Sequence, residues 1–337
     1  MSMQARPVLS IRDLRTSFQH EGGMIKALDG VSLDVHASRT LGIVGESGCG
    51  KSVTARSVMR ILDSSARILS GEVLLQSGTG PEPLDLLRLP PDGRLMRSIR
   101  GGRIALIFQE PMTSLSPLYT IGSQILEIIT THRKVGGKEA REMAIHYLRE
   151  VGIPRPEERI DQYPFQLSGG LRQRTMIAMA LAGDPEILIA DEPTTALDVT
   201  TQAQILDLLR RIQQENKLAL ILITHDMGVV AEMSDDVAVM YLGRVVEQGP
   251  VDRIFHQPRH PYTRLLLRSI PDIRAVPKSR LPTIDGSVPH PYRRPSGCPF
   301  HPRCPDALPG ICERSPPAEV EYAPQSRVSC YRAETTQ

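Results

Sequence analysis

Gly45-Glu46-Ser47-Gly48-Cys49-Gly50-Lys51-Ser52 carries the spacing G-x-x-x-x-G-K-[ST], and each residue type in it has a physical reason. Glycines let successive backbone N–H groups converge on phosphate oxygens without side-chain clash. A helix opening at Lys51 would aim the positive end of its dipole at the same charge. Lys51 supplies a point charge for β- and γ-phosphates, and Ser52 a hydroxyl for Mg²⁺. The context fits, because Leu41–Gly45 reads as a short apolar strand and Lys51 to about Leu62 as a helix. Cys49 reads as a loop filler.

Outward from this loop the chain reads as α/β. Ile104–Phe108, Ile187–Ala190 and Leu218–Thr224 are apolar runs of strand length, as strands buried on both faces would be. Thr201–Gln214 places Ile205, Leu208, Leu209 and Ile212 on one helical face. Val237–Tyr241 and Arg244–Glu247 flank a Leu-Gly pair and predict a hairpin. Ile121–Thr130 and Lys138–Val151 have helical pattern, so an inserted helical subdomain is expected at about 110–166. The Gly- and Pro-rich stretch Ser77–Gly93 reads as a surface insertion.

Two further constellations follow. Ile187-Leu188-Ile189-Ala190-Asp191-Glu192 is an apolar strand ending in two acids, which it would deliver to the carboxyl edge of a sheet. Asp191 suits Mg²⁺, directly or through water; Glu192 suits polarising an attacking water. Leu167-Ser168-Gly169-Gly170-Leu171-Arg172-Gln173-Arg174 precedes a helix expected at about Gln173–Leu181. Ser168, Gly169 and Gly170 form a second anion-binding helix start, which makes sense toward ATP held by another subunit.

Composition sets limits. Lys plus Arg number 40 against 38 Asp plus Glu, so no basic surplus points to nucleic acid. Trp is absent and aromatics are 4% of the chain, which is poor material for stacking bases. No apolar run reaches the ~18 residues of a bilayer span, and Met1–Pro7 lacks a signal-peptide core. A cytoplasmic chain that meets a membrane through partners is expected. More than half of the 28 prolines lie from Pro258 onward, so a regular body, 1–257, is expected to give way to a loop-rich extension, 258–337. Cys298, Cys304, Cys312 and Cys330 crowd that extension. In a reducing cytosol such a group points to metal rather than disulfides.

Phosphate loop, Ser-Gly-Gly signature and acid pair, in that order, resemble the ABC transporter ATPases. The resemblance implies a P-loop ATPase core with a mainly parallel sheet, an N-terminal antiparallel β subdomain and the helical insertion. It implies that Phe18 stacks on adenine and that Gln109 senses Mg²⁺ and water and couples to membrane subunits. It places Asp198 at a dimer interface and His225, in Ile223-Thr224-His225-Asp226, on the γ-phosphate. The signature departs from the family in one place, with Leu171 where Gln is usual.

Gln109-Glu110-Pro111-Met112-Thr113-Ser114-Leu115-Ser116-Pro117 is similar to the oligopeptide/dipeptide (peptide/nickel) importer branch. So are His256-Gln257-Pro258-Arg259-His260-Pro261-Tyr262-Thr263, Gly297-Cys298-Pro299-Phe300 and Arg303-Cys304-Pro305. That branch implies a second, homologous ATPase, two permease subunits and an extracytoplasmic binding protein. The chain itself resembles the first of the two ATPases, peripheral on the cytoplasmic face of the inner membrane. The four cysteines could hold a 4Fe–4S cluster or Zn²⁺; the branch implies the cluster. Nickel, glutathione or another solute is the alternative cargo, and a soluble non-transport ABC ATPase the alternative class.

Overall fold

The computed structural model describes residues 6–76, 82–110, 114–270 and 283–334. Outside the described residues lie 1–5 of the N-terminus, 77–81 of the expected insertion and 111–113 of the segment similar to peptide importers. The strands run in chain order: β1 (Leu9–His20), β2 (Gly23–Val35), β3 (Thr40–Val44), β4 (Ala66–Leu75), β5 (Leu84–Asp85), β6 (Ile104–Ile107), β7 (Ile187–Asp191), β8 (Ala219–Thr224), β9 (Asp236–Tyr241), β10 (Arg244–Pro250), β11 (Val320–Ala323) and β12 (Ser326–Val328). The chain divides into two compact units.

One unit is built on residues 88–223 with 35–39. Here β6, β7 and β8 pair in parallel, with Ile107 opposite Ala190 and Asp191 opposite Ile223. Every residue of β7 and β8 is buried, as an unbroken apolar run covered on both faces requires. Helices Ile121–His132 and Gly137–Glu150 bury stripes spaced by four, Ile121/Ile125/Ile129 and Ala140/Ala144/Leu148. These are the expected helical insertion. Helix Val199–Glu215 buries Ile205, Leu208, Leu209 and Ile212, the face read from its spacing.

The other unit comprises 7–34, 40–87 and 224–337. Its N-terminal sheet has the order β2-β1-β4-β5, with β1–β4 and β4–β5 antiparallel. β3 pairs in parallel with β9. β9 turns back into antiparallel β10 through Leu242 and Gly243, at φ 43° and 74°, the left-handed pair that a tight hairpin favours. β12 and then β11 continue antiparallel from β10, so the extension adds two strands of its own.

The extension also shares this unit's apolar core. Tyr241, Tyr262 and Phe300 are at most 1% exposed, with ring centroids 4.7–5.2 Å apart. Burying each such ring stabilises by ~1.5–3 kcal/mol. Cys298 and Cys312 belong to the same cluster.

Two boundaries differ from expectation. The helix after the phosphate loop is Lys51–Met59, not Lys51 to about Leu62, because Arg60 takes a left-handed φ of 54° and closes it. The helix expected from Gln173 begins at Gly169, because the Ser168 hydroxyl caps it.

Candidate functional site

Gly45–Ser52 joins β3 to helix Lys51–Met59. A side chain at Gly45 would put its Cβ 2.2 Å from the Met240 carbonyl oxygen. Only glycine fits there. Gly50 precedes the helix at φ 105°, a conformation that L side chains avoid. Lys51 is 5% exposed, and its Nζ donates to the carbonyls of Gly45 at 2.6 Å and Glu46 at 3.2 Å. The ammonium is thus tethered inside the loop it serves. Cys49 is buried and its thiol is pushed up by that burial, despite the nearby Lys51, which fits a packed filler.

Glu46 is held twice. Its backbone N–H donates to the Tyr262 hydroxyl at 3.0 Å. Its carboxylate accepts from Arg303 Nη1 at 2.7 Å and Nη2 at 3.0 Å. Nothing in the sequence pattern announced these contacts, since Arg303 stands 257 residues from Glu46. The same unit contains Phe18, half-buried on β1 opposite Ala66, and His225, exposed just past β8.

The second group lies in the other unit. Asp191, 5% exposed, ends β7. Glu192 follows at φ 47°, a left-handed conformation costing ~1–3 kcal/mol in a residue with a side chain. Its carboxylate accepts from Gln109 Nε2 at 3.1 Å and from Thr195 Oγ1 at 2.9 Å, and its N–H donates to the Ile223 carbonyl at 2.9 Å. Gln109 and Glu192, read separately in the sequence, are therefore joined. Thr195 was missed as a partner, though it lies three residues on.

Ser168 and Gly169 are exposed at the start of helix Gly169–Leu181, where the Leu171 N–H donates to the Ser168 hydroxyl at 3.4 Å. A Cβ at Gly170 would lie 2.8 Å from Thr201 Cγ2, and one at Gly169 3.8 Å from Leu197 Cδ2. The signature thus lies beside the segment around Asp198. Asp198 caps helix Val199–Glu215, accepting from Thr201 N–H at 3.0 Å and Thr201 Oγ1 at 2.7 Å. These bonds hold its carboxyl below the usual range.

The four tail cysteines are free thiols; Cys298, Cys312 and Cys330 are buried and Cys304 is half-buried. Burial and the neighbouring thiols Cys312 and Cys330 push Cys298 up to about 11. Cys304, beside Cys330 and Cys298, is also pushed up to about 11, with burial again the main cause. Four unoxidised sulfurs are the donor type that a 4Fe–4S cluster takes, as thiolates. Among the described residues, however, no group of three or more His, Cys, Asp or Glu side chains is arranged for a metal ion. The placement of these side chains gives no support to the expected metal centre.

No helix among the described residues is long and apolar enough to cross a membrane. Residues 28–195 match the ABC transporter family, and residues 246–312 match the C-terminal region of oligopeptide/dipeptide transporters. The "Probable peptide ABC transporter ATP-binding protein y4tR" of Sinorhizobium fredii is 49% identical, covering 99% of this chain and 98% of that protein. The "Dipeptide transport ATP-binding protein DppD" of Bacillus subtilis is 48% identical over 96% and 94%. A solved dimeric ATP-binding cassette in a post-hydrolysis state with ADP and phosphate superposes with a TM-score of 0.63 at 26% identity, over 72% of this chain and 98% of that one. Nearly half the residues are shared along almost the whole of two such proteins: this chain belongs to the ABC transporter family, as an ATP-hydrolysing subunit.

Proposed function

We propose that this subunit energises import of peptides, dipeptides or oligopeptides, across the cytoplasmic membrane. One observation carries the reading: an ABC ATPase and the C-terminal region of oligopeptide/dipeptide transporters occur on one chain that matches peptide-transport ATPases almost end to end. The residues then take these roles. Gly45–Ser52 wraps the phosphates of ATP, Lys51 contacts the β- and γ-phosphates, and Phe18 stacks on adenine. Ser52, Gln109 and Asp191 serve Mg²⁺, which offsets charge on the transferred phosphoryl group. Glu192 polarises the attacking water, and Gln109 and Thr195 aim its carboxylate. His225 senses the γ-phosphate.

Ser168, Gly169 and Gly170 act on ATP held by a second, homologous ATPase, with Asp198 at that interface. Two permeases and an extracytoplasmic binding protein complete the importer, and the chain is peripheral on the inner face of the membrane. Cys298, Cys304, Cys312 and Cys330 hold a 4Fe–4S cluster, with Zn²⁺ as the alternative occupant. The cluster would cross-link a segment rich in proline and has no step in hydrolysis. Domain limits of 1–257 and 258–337 follow this division of labour.

The test is uptake of labelled di- and oligopeptides by cells lacking this gene, complemented by the wild type or by Lys51→Ala. Wild type restores uptake and Lys51→Ala does not. Restored uptake of nickel or glutathione, with none of peptide, would replace the cargo and keep the ATPase. Iron in anaerobically purified chain, about four per molecule, checks the cluster.

A further inference from the structure

The phosphate loop contains an acid that ought to hinder it. Gly45–Ser52 carries one cation, Lys51, and one anion, Glu46. A loop that binds a polyanion should not be formally neutral, and a free carboxylate on Glu46 has an obvious partner. Lys51 Nζ already lies 3.2 Å from the Glu46 backbone carbonyl oxygen, so the ammonium sits beside the residue that carries the acid. Left alone, Glu46 could capture the ammonium that phosphate needs.

The extension removes that carboxylate from play. Arg303 forks onto both oxygens, the bidentate geometry that fixes direction as well as charge. The pair is well shielded, with the Arg303 side chain 5% exposed and Glu46 26%. The fork is itself pre-set: Arg303 Nε donates to the Asp285 carbonyl at 3.1 Å and Nη1 to the Tyr241 hydroxyl at 3.3 Å. Tyr262, wholly buried against Tyr241 and Phe300, takes the Glu46 N–H from the other side.

We propose that Arg303 and Tyr262 are positioning residues of the phosphate loop: Arg303 holds and neutralises the Glu46 carboxylate while Tyr262 fixes the Glu46 backbone N–H, so that the loop meets a triphosphate as a net cation. The inference rests on the reading that this loop holds ATP. It makes a segment otherwise seen as an appendage part of the nucleotide site.

The test is calorimetric titration of full-length protein with MgATP and MgADP. Arg303→Gln removes the charge and the fork but keeps a polar amide, and Arg303→Ala removes the polar group as well. Each is expected to weaken ATP about tenfold, the effect of an uncompensated charge at several ångströms in a partly screened site. ADP, with less charge, should suffer less. The decisive measurement is the same substitution in a Glu46→Gln background. With the carboxylate gone, Arg303→Gln should cost less than about twofold.

Equal losses in both backgrounds, or equal losses for ATP and ADP, would make Arg303 a mere packing residue and overturn the proposal. Unchanged ATP affinity in Arg303→Gln would also overturn it. Lys51→Ala run alongside separates the two readings. If it leaves ATP binding intact, the loop is not the phosphate site at all; if it abolishes binding while the Arg303 cycle shows no coupling, only the present inference fails.

Discussion

The phosphate loop and the signature–acid region do related work but are built in opposite ways. The loop is braced by residues remote in sequence: Ala27, Met240, Gly243, Tyr262 and Arg303 all touch it. The signature and acid segments are held largely by near neighbours: Ser168 by Leu171, Glu192 by Thr195, Asp198 by Thr201, with Gln109, Ile223 and the Thr201 methyl beside Gly170 among the more distant supports. Remote bracing gives a loop whose shape is set before ligand arrives. Local capping leaves Ser168, Gly169 and Asp198 exposed, as the proposed contact with a second ATPase requires.

The sharpest test of the locally held side is Glu192→Gln. ATP binding should persist while turnover falls ~10²–10⁴-fold, the usual loss on removing a catalytic base. Unchanged turnover per bound ATP would remove Glu192 from the chemistry. A matched pair of glycine substitutions then separates the two designs. Gly243→Ala places a methyl 2.4 Å from the Ala27 carbonyl at φ 74° and should destabilise by ~3 kcal/mol. Gly169→Ala meets only Leu197 Cδ2 at 3.8 Å and should shift stability by under ~1 kcal/mol. Equal melting shifts would erase the contrast.

The bracing also carries a pH signature. His260 is wholly buried, its Nδ1 accepts the Tyr262 N–H at 3.0 Å, and burial pushes it down to about 3. The unfolded chain binds this proton below pH ~6.5 and the folded chain does not, so stability falls as pH drops from there toward 3. His260→Asn, a cap that does not titrate, should flatten that slope in thermal unfolding. The smallest effect belongs to the local side: Asp198→Ala should cost ~1 kcal/mol, the ordinary value of a helix cap.

What could be read from the sequence follows the same divide. Gly45–Ser52, Asp191-Glu192 and Ser168–Gly170 are contiguous, and the order of residue types states their chemistry. The strand carrying Asp191 was visible because burial on both faces leaves no polar position in Ile187–Ala190. The clamp on Glu46 was not visible, because an Arg and a Tyr in a proline-rich tail look like any solvated pair until the chain folds back. The left-handed turn at Glu192 was equally silent, since a residue with a side chain gives no composition cue for positive φ. The early start of helix Gly169–Leu181 was hidden by two glycines, poor helix formers that the Ser168 cap overrides.

The short hairpin of β11 and β12 has one more consequence. β12 pairs with β10 at Glu247 and Gln248, and Ser329 N–H donates to the Val246 carbonyl. Cutting the chain at 257 to isolate a catalytic core would strip β10 of that cover. A row of unpaired amides and carbonyls beside Val245 and Val246 would then face solvent, an open template for pairing with another chain. A core trimmed in this way should clump in the tube, and the remedy is to leave the hairpin on.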